Sequence, residues 1–196
     1  MPNWTANTIR ALGTPKDLRA FLEAVKWEDK VFDFNRIIPM PELLKYTGKG
    51  CRIIDGQRVE SWYVLDHTTP LPKNEHVRRF TAAEEAELEA VGHRNWYDWS
   101  WDNWGTKWNA RRAEVNETAL AYGYVEIHFE TAWGEPMPIF RRLFDLFPHI
   151  SFVCVWKYED HWKRYSLRRY VGNRAEGCML AARVKKAGLE LVRKMD

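Results

Sequence analysis

Between Gly123 and Trp133 the chain reads GYVEIHFETAW, a strict alternation. Val125, Ile127 and Phe129 point one way, and Glu126, His128 and Glu130 the other. Successive side chains of a β-strand leave opposite faces, so this strand belongs to a sheet with one apolar and one polar face. Such a sheet needs a packed layer on its apolar side only. Two segments have the pattern to supply that layer. In GTPKDLRAFLEAVK, Thr14 is placed to cap a helix, Pro15 suits its first turn and Asp17 sits near the positive end of the dipole. Leu18, Phe21, Leu22 and Val25 then recur at helical spacing. In PIFRRLFDLF, introduced by Pro136 and Pro138 and stopped by Pro148, the apolar side is Ile139, Phe140, Leu143, Phe144 and Phe147.

The remaining elements set the order. NWTANTIRAL reads as a strand near the N-terminus, and HISFVCVWKYED, apolar on both faces, as a central strand. KRYSLRRYV is a more basic strand near an edge, and a helix from about 175 to 195 places Leu180, Val184, Leu191 and Met195 on one face. VFDFNRIIPMPE, residues 31–42, alternates into a Pro-x-Pro break and is expected to be extended. Residues 43–95 read differently. A hairpin is expected at Asp55-Gly56, HTTPLPKNEH is loop, and TAAEEAELEAVG is a short acidic helix with Thr81 and Glu84 in capping-box spacing. Taken as an insertion, this stretch leaves strand, helix, strand, strand, helix, strand, with the tryptophan-rich segment after residue 95 supplying the second strand. That order predicts an α+β, ferredoxin-like (split βαβ) antiparallel sheet with helices on one face, plus an extra C-terminal strand and helix.

A chain of 196 residues, 45% hydrophobic and 29% charged, suits one soluble domain with an insertion. No apolar run approaches the roughly 18 residues of a membrane span, and MPNWTANTIR lacks the features of a secretory signal, so a cytoplasmic location is expected. Cys51, Cys154 and Cys178 have no metal spacing and read as buried or free thiols. From Lys157 to Asp196 there are eleven basic against five acidic residues, a basic end suited to phosphates or to an acidic protein surface.

The anomaly is tryptophan: eleven in the chain, four of them within WSWDNWGTKWNA at 99–110. Strand alternation would set Trp104, Thr106 and Trp108 on one face, covering the sheet, with Gly105, Lys107 and Asn109 on the other. Gly105 would allow a close approach, Asn109 would bond backbone at a turn, and Trp4 would join the cluster. Trp96, Trp99 and Trp101, in RNWYDWSWD, are expected on a loop before the strand. Exposed there, beside Lys107, they would anchor a protein partner. On the sheet, Trp156 and Tyr158 with Arg164, Arg168 and Arg169 would offer a stacking surface for unpaired bases. Glu126 and His128 are the candidates for acid–base or metal chemistry, although none of the six histidines forms an HxH or HxxxH pair. Phosphate-binding glycine loops and a Gly-x-Ser-x-Gly elbow are absent.

MPNW followed by Asn7, FDFNRIIPMP, NWGTKWNA and FETAW before a proline-started helix ending in FP occur together in this order. The set resembles the family of phage- and plasmid-borne proteins built on the YubB-type ferredoxin-like domain (Api-like bacteriophage proteins), over roughly residues 1–42 and 96–172. Thr5 stands where that family often has cysteine, and Gly134-Glu135-Pro136 where it often has two prolines. The resemblance implies a fold and a mobile-element origin in a bacterial host, with no reaction to carry over. The expectation is a non-catalytic module that engages a host macromolecule, a protein such as a defence component, without membrane or small-molecule cofactor. Single-stranded nucleic-acid binding and a metal-dependent enzyme are the alternatives.

Overall fold

A computed structural model of the protein describes residues 2–65, 77–159 and 166–169. In chain order the elements are β1 (Trp4–Leu12), α1 (Pro15–Val25), β2 (Thr47–Ile54), β3 (Gln57–Leu65), β4 (Val77–Arg78), α2 (Ala82–Val91), α3 (Trp96–Trp104), β5 (Arg111–Asn116), β6 (Tyr124–Ala132), α4 (Met137–Leu146), β7 (Ser151–Tyr158) and β8 (Ser166–Arg169). They divide into two compact units. One runs through Ile38 and resumes at Trp104, and the other is Pro39–Asn103. The second unit therefore extends past both ends of the expected 43–95 insertion and takes in Trp96, Trp99 and Trp101. Arg164, Cys178, the loop at 67–76 and the helix expected at 175–195 lie outside the described residues. No helix among the described residues is long and apolar enough to cross a membrane.

The first unit is a five-stranded sheet in the order β5-β6-β1-β7-β8, antiparallel at every pairing. One face is buried: Thr5, Asn7, Ile9 and Ala11 on β1, Val125, Ile127, Phe129 and Thr131 on β6, and Phe152, Cys154 and Trp156 on β7. Both α1 and α4 pack on that face. Phe21 of α1 meets Phe152 edge-on at 5.3 Å. Phe140 of α4 lies 6.5 Å from Phe129 and 6.3 Å from Trp156. Both helices begin as the sequence dictates, with Thr14 accepting the Asp17 N–H at 3.1 Å and prolines in each first turn. The alternation at 125–130 is observed with its apolar side under the helices, and β8 is the outermost strand on its side among the described residues.

Two local expectations are corrected. The second strand of the sheet is Arg111–Asn116 and not the tryptophan segment, of which Trp96–Trp104 is helix α3. Asn95, Trp99, Ser100 and Trp104 are buried at intervals of four and five, a helical rather than a twofold period. Asn95 caps that helix: its Oδ1 accepts the Asp98 N–H at 2.9 Å and its amide donates to the Asp98 carboxylate at 2.7 Å. Residues 31–42 are not an extended strand either. Asp33 accepts the Asn35 N–H at 2.7 Å and turns Phe34–Arg36 into a single 3₁₀ turn.

In the second unit β2, β3 and β4 form a three-stranded sheet. Asp55 and Gly56, with φ of 52° and 73°, make the tight turn between β2 and β3. α2 carries the reciprocal Thr81–Glu84 capping box and ends at Gly92.

The packing predicts that Phe140→Ala lowers unfolding free energy by about 3–5 kcal/mol, since the ring is fully buried against two others. Arg141→Ala, on the exposed side of the same helix, is expected to stay within about 0.5 kcal/mol. Urea titrations of the two variants check the difference.

Candidate functional site

NWGTKWNA closes α3 with Asn103 and Trp104 and continues from Gly105 as an irregular bend whose residues have distinct tasks. Trp104, 5% exposed, donates its indole N–H to the Ile38 carbonyl at 2.9 Å and meets Phe34 edge-on at 5.8 Å. Gly105 has φ of 75°, and a Cβ there would stand 2.8 Å from Pro138 and 3.2 Å from the Glu135 carbonyl. Both conformation and space therefore demand glycine. Thr106, fully buried, donates to the Ala132 carbonyl at 2.7 Å. Asn109 accepts the Phe34 N–H at 2.9 Å and the Ala110 N–H at 2.8 Å, and donates to the Asp33 carboxylate at 2.8 Å. Burial alone would push the Asp33 carboxyl up. Hydrogen bonds from Asn109 and from the backbone and side chain of Asn35, with Lys30 nearby, outweigh it and hold the group below the usual carboxylate range.

The same bend builds an aromatic and cationic surface. Trp108 was expected in the core beside Trp104, yet it is 39% exposed. Without strand alternation, nothing places the two indoles on one face. Trp108 lies 6.0 Å from Trp4 at 33° between planes. Lys107 sits 4.4 Å above the Trp108 ring, and the Arg111 guanidinium 4.3 Å above that of Trp4. Next to this cluster Trp133, 48% exposed, donates its backbone N–H to the Asn3 carbonyl at 2.9 Å. Its φ of 75° is a strained conformation for a bulky residue, and such strain concentrates at functional surfaces. Arg112, also exposed and at φ of 49°, faces Glu130 at 3.4 Å. Neither Arg111 nor Trp133 is singled out by the sequence pattern alone. Arg111 directly follows the motif, and Trp133 stands where the 125–130 alternation ends.

The other sequence candidates are placed as follows. Trp96, Trp99 and Trp101 lie on α3 in the second unit rather than on a loop. Trp99 is 5% exposed, which removes it as an anchor. Trp96 and Trp101 are half-buried and flank Tyr97 at 5.8 and 6.3 Å. Trp156, 3% exposed on the helix-covered face, has no open plane for a base, and the half-buried Tyr158 donates its hydroxyl to Glu135. Their strand positions put them on the apolar side of the sheet, where α4 lies. Arg168 and Arg169 are on β8.

Glu126 and His128 meet on the opposite face of the sheet. Thr8 Oγ1 lies 3.1 Å from His128 Nδ1, and His128 Nε2 3.3 Å from Glu126. Arg10 Nε donates to Glu126 at 2.8 Å, and the Tyr124 hydroxyl donates to the same oxygen. Burial acts to raise the Glu126 carboxyl, but Tyr124, Arg10 and His128 outweigh it and keep it low. Burial and the neighbouring carboxylate raise the Tyr124 phenol. Hydroxyl, imidazole and carboxylate in series are the parts of a proton relay. Here they are joined across paired positions, Thr8 to His128 and Arg10 to Glu126, as cross-strand contacts of the sheet. Among the described residues no three His, Cys, Asp or Glu gather to hold a metal ion. Glu126 and His128 are two donors, where catalytic zinc uses three protein ligands.

Comparison of the chain with protein-family models, with curated proteins and with solved structures gave no match.

Asn109→Ala is expected to destabilise the protein by about 2–4 kcal/mol, because it leaves the Phe34 N–H and the buried Asp33 carboxylate short of partners. The Asp33 carboxyl is lowered in the folded state, so its contribution is present above the unfolded value of about 4 and lost as pH falls through the folded one. The gap between wild type and Asn109→Ala should therefore narrow from pH 6 to pH 3. Denaturant titrations at the two pH values measure it.

Proposed function

We propose that the chain is a non-catalytic binding module of ferredoxin-like plan, carried by a phage, prophage or plasmid, that engages a host protein. The plan is supported by the order β5-β6-β1-β7, antiparallel throughout, with both helices on one face. The mobile-element origin rests on the motif resemblance. The binding role is carried by one observation: Trp108 and Trp133, 39% and 48% exposed, stand at one end of this sheet, with Lys107 over Trp108 and Arg111 over the neighbouring Trp4. Large indoles held exposed by a rigid scaffold, one of them in a strained backbone, are hot-spot anchors for a protein surface. The neighbouring cations fit a partner that is acidic around an apolar socket.

Base stacking is less favoured. It needs free ring faces, and Trp4 and Trp108 each carry a cation while Trp156 is buried. A metal-dependent reaction lacks a third donor beside Glu126 and His128 among the described residues.

The test is quantitative affinity capture from bacterial lysate with wild type, the Trp108→Ala/Trp133→Ala double variant, and Trp27→Ala, an exposed tryptophan elsewhere on the unit. A host protein held by wild type and Trp27→Ala should fall by at least roughly 30-fold with the double variant, the loss of about 2 kcal/mol. Equal capture by all three would sink the proposal. Salt-sensitive binding of single-stranded RNA or DNA that the double variant abolishes would replace it with the nucleic-acid reading.

A further inference from the structure

The helix-covered face of the five-stranded sheet turns polar at the end nearest Trp4, where Thr5, Asn7, Thr131 and Trp156 are all buried. Most of the polar atoms there bond within the chain. The Asn7 amide Nδ2 donates to the Thr5 carbonyl at 2.9 Å and to Thr131 Oγ1 at 2.8 Å. Thr131 in turn donates to the Gly134 carbonyl at 2.6 Å. These bonds fix the orientation of the Asn7 amide, because the flipped form would turn its oxygen toward the Thr5 carbonyl. Two atoms then stand out. Asn7 Oδ1, an acceptor, and Trp156 Nε1, a donor, are both sealed from solvent and have no hydrogen-bond partner among the described residues. Asn7 and Trp156 are directly paired across β1 and β7, and both side chains lie on the same face. Directly opposed residues have Cβ atoms about 5 Å apart, so the two side chains start as neighbours on this face.

We infer that a single ordered water binds between Asn7 Oδ1 and Trp156 Nε1. Buried polar groups in folded proteins are paired, by protein or by water, and an acceptor and a donor left without partners on directly paired residues are the setting in which an internal water is expected. The chemistry selects it. The occupant must donate to Oδ1 and accept from an indole N–H, which excludes ammonium, with no acceptor, and chloride, with no donor. Neither atom is reachable from solvent, which excludes anything larger. The water joins β1 to β7 beneath Phe140, while the Asn7–Thr131 bond joins β1 to β6. All three central strands are thus tied together three residues from Trp4, under the end that presents the indoles. This site is independent of the partner proposed above.

A high-resolution crystal structure should show a density peak within hydrogen-bond distance of both atoms. In solution, the indole N–H that vanishes in Trp156→Phe should show a cross-relaxation peak to long-lived water, and Asn7→Leu should abolish that peak. If Asn7→Leu does not fold, the wild-type crystal and spectrum decide alone. A direct Asn7 Oδ1 to Trp156 Nε1 hydrogen bond, or an indole N–H with no water contact, overturns the inference.

Discussion

The amide of Asn109 holds the sheet-bearing unit together at the place where the chain leaves it and comes back. The chain departs after Ile38 and returns at Trp104. Asn109 reaches from the returning bend to the Phe34 N–H and the Asp33 carboxylate, and Trp104 reaches from the same side to the Ile38 carbonyl. Closing a long excursion costs entropy that grows only with the logarithm of its length. A fixed set of three hydrogen bonds at its base therefore suffices for segments of very different size. The sheet order, with β5 arriving beside β6 after the excursion, depends on this closure. The motif NWGTKWNA reads in this light as a clamp first.

The clamp also decides what the surface displays. Because Trp104 points inward to Ile38 and Thr106 to the Ala132 carbonyl, the bend between them has to be tight, and Gly105 against Pro138 permits it. The chain then emerges with Lys107 and Trp108 outward. Trp108 finds Trp4 at the start of β1, and Arg111 at the start of β5 covers Trp4. Exposed indoles on a flexible loop would lose conformational entropy on binding. Indoles mounted on a clamped bend and two paired strands have lost it already. Rigidity of the mount is the property on which the anchoring role proposed for Trp108 and Trp133 rests.

Strands and helices were legible wherever one face is solvent and the other core. GYVEIHFETAW and the α1 and α4 segments carry complete amphipathic patterns, and their caps and prolines are local signals that need no tertiary information. The tryptophan segment failed for a physical reason. Indole is large enough to be buried in a strand or a helix, so composition does not separate the loop and strand expected over 96–108 from the helix that ends at Trp104. The deciding signal was Asn95 with Asp98 three residues on, a helix cap formed with asparagine and aspartate. Residues 31–42 misled in the same way, because the apolar alternation of VFDFNRII coincides with a turn enforced by the Asp33 side chain. At the site, Glu126 and His128 were correctly set on one face by alternation, but the pairing with Thr8 and Arg10 depends on β1 lying beside β6, which one strand's sequence does not state.

That pairing bears on what the polar face contributes without a metal-type donor set. On a two-sided sheet the solvent face has no helix to fix its register, and register is specified by what lies opposite what. Arg10 against Glu126 and Thr8 against His128 reward one alignment of β1 on β6. A slip of two residues keeps the apolar face inward but sets Arg10 opposite His128 or Tyr124, and the Glu126 carboxylate loses its guanidinium. The apolar face excludes odd slips, and the polar face excludes even ones. Since Trp4 and Ala132 are paired in the same ladder, this alignment also sets where Trp4 stands relative to Trp133. The acid–base cluster on one face and the indole surface at the sheet's end are thus parts of one constraint, the register of β1 against β6.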